Sequence, residues 1–132
     1  MLLALLAGTA PAGAADSAGN YAIWGAGARS CHQFRRAGDD AASLAPFRDF
    51  LMGYLTAYNT LAPQTYNALG KQSLEDALGW IGEYCATHQI DSFERAVTQL
   101  VVAHHEQRTR GVGHGGGSAG SWGRPAPAGE AP

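Results

Sequence analysis

Two cysteines, each with a histidine close by, are the residues of this sequence best suited to chemistry. Cys31 is followed directly by His32, and Cys85 is followed by His88 in the segment EYCATH. Residues of these types can bind zinc, form a thiol active site, or form a disulfide whose histidine neighbours are incidental. The choice among the three depends on the compartment of the protein and on the elements that hold the cysteines.

The zinc and thiol alternatives fit the spacing less well than the disulfide does. Cys85 and His88 have a usual ligand spacing, whereas Cys31 and His32 are adjacent and would point about 100° apart on a helix. A catalytic cysteine needs a positioned base and an open site, which a cysteine on a core-facing stripe lacks. The sequence has no Ser/His/Asp arrangement and no phosphate-binding glycine loop before a helix. We therefore predict that the protein is not an enzyme and has no cofactor, and we keep a zinc site as the alternative to the disulfide.

The N-terminal segment predicts export from the cytoplasm. Residues 1–10 are mostly apolar but too few to cross a bilayer, which takes about 20 residues in a helix. Ala12-Gly13-Ala14 has the small-x-small pattern of a cleavage site, so we predict a signal peptide over residues 1–15 and a periplasmic location. No Lys or Arg precedes the apolar run, which suggests that the true start codon lies further upstream. Because thiols are oxidised outside the cytoplasm, the two cysteines are expected to form one disulfide.

The composition indicates one folded domain with a segment of different character at each end. The chain has 132 residues, of which 45% are hydrophobic, and its net charge of -2 gives no reason to expect a nucleic-acid partner. Residues 111–132 contain eight Gly and three Pro and should be disordered, because they cannot bury enough apolar surface. We place a helical domain at residues 28–110 and an N-terminal arm at residues 16–27.

The domain has the apolar periodicity of helices and no sustained alternation typical of strands, which predicts an all-α fold of four helices. The first helix is expected after Ser30 as its N-cap and runs through Ala37. The second is expected from Ser43, with Pro46 tolerated in its first turn, and Pro63 stops it. The apolar stripe of the second helix consists of Phe47, Phe50, Leu51, Tyr54, Leu55, Tyr58 and Leu61.

The third and fourth helices carry apolar stripes that end in histidine. Ser73 is the predicted N-cap of the third helix. The fourth helix is predicted to open at Asp91, with Glu94 three residues later in a capping box. Cys85 falls on the inner face of the third helix, as Cys31 does on that of the first. The stripes are Leu74, Ala77, Leu78, Ile81, Cys85 and His88 in the third helix, and Phe93, Ala96, Val97, Leu100, Val101 and His104 in the fourth.

An exported helical domain with one cysteine in its first helix and one near the end of its third resembles the HdeA/HdeB acid-stress chaperones of the bacterial periplasm. The similarity is to a divergent, HdeA-like branch of that family and covers about residues 28–105. The segments that carry it are Ser30-Cys31-His32-Gln33-Phe34, Phe50-Leu51-Met52-Gly53-Tyr54-Leu55 and Trp80-Ile81-Gly82-Glu83-Tyr84-Cys85, followed by His88 and Phe93. The resemblance implies a small all-α fold with a Cys31–Cys85 disulfide. It also implies dimers at neutral pH that open in acid and hold unfolded client proteins without ATP.

The charges of the sequence are compatible with opening in acid. Near pH 2 the carboxylates are neutral, and the five histidines add their charge to nine Lys and Arg side chains, so the chain repels itself. Only one lysine, Lys71, is present, whereas chaperones of this kind are lysine-rich.

The helical glycines Gly53, Gly79 and Gly82 are explained either by close helix contact or by a need for easy opening. The predicted client- or partner-binding residues are Phe47, Phe50, Leu51, Tyr54, Tyr58, Trp80 and Tyr84.

The alternative function is that of a periplasmic binding or immunity protein with a specific protein partner at neutral pH. Its interface would be preformed in the folded chain rather than uncovered by acid. Trp80 and Tyr84 fall beside the main stripe of the third helix, so they suit such an interface or simply broaden the core face. Under either function we expect protein partners and no stable insertion into a membrane.

Overall fold

The computed structural model describes residues 15–112, and within that range the chain forms four α-helices and no strand. The helices are α1 (Cys31–Ala37), α2 (Ala41–Leu61), α3 (Leu74–Thr87) and α4 (Phe93–Ala103). A 3₁₀ turn, Gly25–Ala28, precedes them, and another, His105–Gln107, follows them. The all-α prediction of four helices is confirmed. Residues 1–14 of the predicted signal peptide and residues 113–132 of the predicted tail lie outside the described residues.

Side-chain caps explain where α1, α2 and α3 begin. Ser30 and Ser73 each accept a hydrogen bond from the backbone N–H three residues later, within complete capping boxes. Asp40 caps α2 in the same way, so α2 begins at Ala41, two residues before the predicted start. Pro46 therefore lies in the second turn of α2 instead of its first, where it removes one helical N–H donor.

The start of α4 differs from the prediction, and the difference frees two carboxylates for other contacts. Ser92 is the N-cap and accepts a hydrogen bond from the backbone N–H of Arg95. The predicted capping box of Asp91 and Glu94 is therefore wrong. Asp91 instead accepts a hydrogen bond from the Tyr84 hydroxyl. Glu94 accepts hydrogen bonds from Tyr21 of the N-terminal arm and from Thr98 of α4, described below.

Three buried phenylalanines lie at the centre of the core, and the fourth phenylalanine of the sequence packs at its edge. The ring centroids of Phe34, Phe47 and Phe93 are 4.9 to 5.3 Å apart, and Phe50 reaches Phe93 at 6.0 Å. These rings come from α1, α2 and α4, so one aromatic cluster joins three helices. The aliphatic part of the core comes mainly from Leu51, Leu55, Ala77, Leu78, Ile81, Ala96, Val97, Leu100 and Val101.

Covalent and backbone bonds join α1, α3 and α4 but leave out α2. The predicted disulfide Cys31–Cys85 is confirmed, and both cysteines are fully buried. The backbone N–H of Cys31 donates to the Asp91 carbonyl at 2.8 Å, and that of Phe93 donates to the Arg29 carbonyl at 2.7 Å. Within residues 15–112, no backbone hydrogen bond joins α2 to another helix. Apart from its N-cap Asp40, whose N–H donates to the Ala37 carbonyl at the end of α1, α2 is held against the other helices by side-chain contacts.

The connection between α2 and α3 packs against the segment that follows α4. Asn67 and Thr109 exchange backbone hydrogen bonds of 2.9 and 3.1 Å. Gly70 has a φ of 61°, and a Cβ atom there would collide with the backbone carbonyl of Gln107. Glycine is required at this position both for the backbone conformation and for the close approach of the two segments.

Candidate functional surface

The predicted binding residues of α2 divide into a buried row and a half-buried row. Phe47 and Leu51 are 2% and 0% exposed, so they are core residues of the folded chain. Phe50, Tyr54 and Tyr58 are half-buried and pack at the edge of the same core. A ligand of the folded protein could touch only the second row, and the buried row would become available only if α2 moved away.

Leu61 does not continue the stripe as predicted. It is the last residue of α2 and is 82% exposed, because the end of α2 extends past the core. With Tyr54, Ala57 and Tyr58 it lines an apolar groove of ≈ 260 Å³ on the surface. This groove is open in the folded chain.

The N-terminal arm lies beside the half-buried row of α2. Residues 21–24 line a second groove of ≈ 260 Å³ together with Phe50, Tyr54 and Glu94. Where the arm leads into the first 3₁₀ turn, a Cβ atom at Gly27 would collide with the ring of Phe50, so only glycine allows this packing. Tyr54 lines both grooves, and the two therefore adjoin each other along α2.

A chain of hydrogen bonds centred on Glu94 joins the arm, α4 and α2. The Tyr21 hydroxyl donates to Oε2 of Glu94 at 3.2 Å, and the Thr98 hydroxyl donates to Oε1 at 2.7 Å. The hydroxyl oxygens of Thr98 and Tyr54 are 3.0 Å apart, which extends the chain to α2. The negative charge of Glu94 raises the pKa of Tyr21, and burial raises that of Tyr54.

Trp80 and Tyr84, the predicted binding residues of α3, form a separate aromatic stack with two histidines. The rings of Trp80 and Tyr84 are nearly parallel with centroids 5.9 Å apart, and His88 stacks on Tyr84 at 4.0 Å. His104 of the α4 terminus meets Trp80 edge-on at 5.6 Å. The Tyr84 hydroxyl donates to Asp91 at 2.6 Å, which raises the pKa of Tyr84. Trp80 and Tyr84 are half-buried, so part of this stack is open to a partner.

His88 and His104 both cap helix C-termini. Nδ1 of His88 is 2.9 Å from the Tyr84 carbonyl, and Nδ1 of His104 is 2.9 Å from the Leu100 carbonyl. A protonated imidazole can donate both of these hydrogen bonds and is favoured at a helix C-terminus by the dipole. His88 is exposed, so it caps α3 but does not continue its buried stripe as predicted.

Carboxylates near the starts of α2 and α3 make this part of the fold sensitive to acid. Hydrogen bonds from Ser43 lower the pKa of Asp40, and hydrogen bonds from Ser73 lower that of Asp76. Glu75 pairs with Arg48 of α2, and this hydrogen bond lowers the pKa of Glu75. In each case the ionised carboxylate makes these contacts in the folded chain. Protonation in acid therefore weakens them.

The sulfur atoms of both cysteines are used in the disulfide, which removes the ligands of the zinc alternative and the nucleophile of the thiol alternative. No group of three His, Cys, Asp or Glu side chains within residues 15–112 is arranged to hold a metal ion. In the same range, no helix has the length and apolar character needed to cross a membrane.

Comparison with protein-family models, with curated proteins and with solved structures finds no match to this chain. The resemblance to the HdeA/HdeB chaperones thus rests on the sequence segments quoted above.

Proposed function

We propose that this protein is a periplasmic, ATP-independent chaperone that opens in acid and holds unfolded proteins on the apolar face of α2. The segments similar to the HdeA/HdeB family suggest this function, and the two cysteines and the predicted signal peptide fit the compartment. The observation that carries the proposal is the way α2 is attached. It contributes five of the predicted binding residues. Within residues 15–112, however, neither the disulfide nor a backbone hydrogen bond joins residues 41–61 to another helix.

Acid acts on the contacts that hold the N-terminal half of α2. Protonation of Asp40 weakens its N-cap, and protonation of Glu75 removes the ion pair that joins Arg48 of α2 to α3. The general positive charge of the chain in acid adds repulsion. Together these effects weaken the attachment of α2. Protonation of Asp76 also weakens the capping box of α3, but the disulfide still joins α3 to α1.

The disulfide limits how far the chain opens. Cys31–Cys85 keeps α1 and α3 together when α2 moves away. The surface uncovered on α2 would then contain Phe47, Phe50, Leu51, Tyr54 and Tyr58. Such a surface binds unfolded clients through apolar contact, without a nucleotide and without a shaped pocket.

Light scattering of an aggregation-prone client shifted to pH 2–3 tests the proposal. We expect the oxidised mature protein to suppress scattering in acid and to leave it unchanged at pH 7. Tyr54→Ser with Tyr58→Ser should reduce suppression, whereas Ile90→Ser, at a position that is 95% exposed and distant in sequence from α2, should not. A protein that stays folded and inert in acid would overturn the proposal.

A specific partner at neutral pH is the second candidate function, and the open grooves favour it. Trp24 and Leu61, which line one groove each, are 81% and 82% exposed in the folded chain. Exposed apolar side chains beside a groove are typical of protein interaction sites. This candidate predicts a saturable complex at pH 7 that Trp24→Ala or Leu61→Ala weakens, in a protein that shows no activity towards unfolded clients in acid.

A further inference from the structure

A buried carboxylate with no cationic partner lies at the groove between the arm and α2. Glu94 is 8% exposed and lines this groove. Its two oxygens accept hydrogen bonds from Tyr21 and Thr98, both uncharged. The ion pairs within residues 15–112 use Glu75 and Glu106 instead. Burying a carboxylate costs free energy unless a cation compensates it, so the groove favours a positively charged occupant.

Arg95 is the cation nearest to Glu94 in the sequence, but it does not neutralise the carboxylate. It is exposed on α4 and makes no ion pair with Glu94 among the described residues. Its charge is near enough to the Tyr21 hydroxyl to oppose the effect of Glu94 on the pKa of that group. The anionic end of the groove is therefore left without a direct partner.

The walls of the groove are aromatic. Tyr21, Trp24, Phe50 and Tyr54 all line it, and Trp24 is 81% exposed, so much of its indole has no protein contact. Aromatic faces attract cations, most strongly when the cation is removed from water. A volume of ≈ 260 Å³ is below the roughly 300–1,000 Å³ of sites for drug-sized ligands, so the groove fits a small molecule.

We propose that this groove binds a small organic cation of the quaternary-ammonium class in the folded protein at neutral pH. A primary ammonium or guanidinium group needs an acceptor for each of its N–H groups. The Glu94 oxygens already accept two hydrogen bonds, and the aromatic walls offer mainly carbon faces, with hydroxyl oxygens only at Tyr21 and Tyr54. A quaternary ammonium has no N–H group to satisfy. It would gain the charge of Glu94 and the faces of Tyr21, Trp24, Phe50 and Tyr54. This site does not depend on acid opening or on α2 moving.

Ligand-observed NMR with the full, disulfide-bonded mature protein tests the site. Tetramethylammonium and choline are titrated alongside 3,3-dimethyl-1-butanol, the uncharged isostere of choline. We expect saturable binding of both cations and about tenfold weaker binding of the isostere, since only the cations gain from Glu94 and the aromatic faces. No saturable binding of the cations, or equal affinity for the isostere, would overturn the proposal.

Two variants locate the site. Trp24→Ala removes an exposed side chain, so the fold is expected to persist, and affinity for choline should fall about tenfold. Glu94→Gln keeps the size of the side chain and removes its charge, with a similar expected loss. Leu61→Ala in the adjoining groove is the matched control and should leave affinity unchanged. If Trp24→Ala binds choline with unchanged affinity, the proposal is contradicted, even if Glu94→Gln fails to fold. The light-scattering assay in acid tests the chaperone function separately, so its outcome does not depend on these binding results.

Discussion

The Tyr21 hydroxyl donates a hydrogen bond to Glu94 across 73 positions of the sequence, with the two oxygens 3.2 Å apart. This contact fixes the N-terminal arm to α4. Through the Thr98 hydroxyl the same carboxylate is connected to Tyr54 of α2. One buried side chain thus joins three parts of the chain, and it lies at the edge of the groove that we assign to an organic cation.

Removing the Tyr21 hydroxyl should loosen the arm without unfolding the domain. Tyr21→Phe keeps the ring but loses the hydrogen bond to Glu94, which should cost up to about 1 kcal/mol. Hydrogen exchange of the amides in residues 21–28 should become faster, while exchange in α3 is unchanged. Tyr66→Phe is the control, because the Tyr66 hydroxyl makes no hydrogen bond within residues 15–112. If the amides of residues 21–28 exchange equally slowly in Tyr21→Phe and in the unchanged protein, this role of the hydroxyl is contradicted.

The disulfide should contribute a large part of the stability of the domain. It joins residues 54 positions apart, for which the loop entropy lost by the unfolded chain corresponds to about 4 kcal/mol. Urea unfolding of the double variant Cys31→Ala with Cys85→Ala should show a loss of at least this size, since two buried sulfur atoms are also removed. Reduction of the unchanged protein should lower its stability in the same direction. The same unfolding midpoint with and without reductant would rule out this contribution.

The features that the sequence predicted correctly are those set by neighbouring residues. Ser30 and Ser73 cap α1 and α3 as expected, because an N-cap needs only a backbone N–H three residues away. The inner-face positions of Cys31 and Cys85 follow from helical periodicity in the same way. Local rules therefore sufficed for the starts of α1 and α3 and for the inward faces of the two cysteines, whereas the disulfide itself was expected from the predicted export and the family resemblance.

Glu94 was placed wrongly because the contacts that decide its role are not local. Its spacing from Asp91 matches a capping box, but Ser92 takes the cap one residue later. Of its two hydrogen-bond partners, Thr98 is four residues away, but Tyr21 is 73 residues away and does not follow from a local pattern. The helical glycines show the same limit. A Cβ atom at Gly53, Gly79 or Gly82 would meet open space, so close helix contact does not explain them.

Replacing Asp40 by asparagine should shift acid opening to lower pH. The pKa of Asp40 is lowered in the folded chain by hydrogen bonds from Ser43, so its stabilising effect is complete above its unfolded pKa of about 3.9. This effect is lost as the pH falls through the lower folded value. Asparagine caps helices well but does not titrate, so Asp40→Asn keeps its cap in acid. Circular dichroism across an acid titration measures the midpoint.

The neighbouring carboxylate provides the control for this titration. Asp39 lies outside α2 and does not cap it, so Asp39→Asn should leave the acid midpoint close to that of the unchanged protein. If Asp40→Asn and Asp39→Asn behave alike, the N-cap of α2 is not a source of acid sensitivity. The Glu75–Arg48 ion pair and the general charge repulsion would then account for opening.

Alanine at the open helical glycines should stabilise the fold and impair opening. Gly53 of α2 and Gly79 of α3 have space for a methyl group, and each replacement should add up to about 1 kcal/mol because alanine restricts the unfolded chain more than glycine does. Urea unfolding at pH 7 measures the gain. If these glycines make acid opening of the fold easier, Gly53→Ala should need a lower pH than the unchanged protein before it suppresses light scattering by the client.

Gly70 provides the contrasting substitution, because alanine is not tolerated at this position. Gly70→Ala should destabilise the domain, because its φ is 61° and its Cβ atom would strike the Gln107 carbonyl. The two substitutions are chemically identical and differ only in their surroundings, so opposite signs are expected in the same unfolding assay. A loss of stability in Gly53→Ala would contradict the expectation that the open space at Gly53 accepts a methyl group.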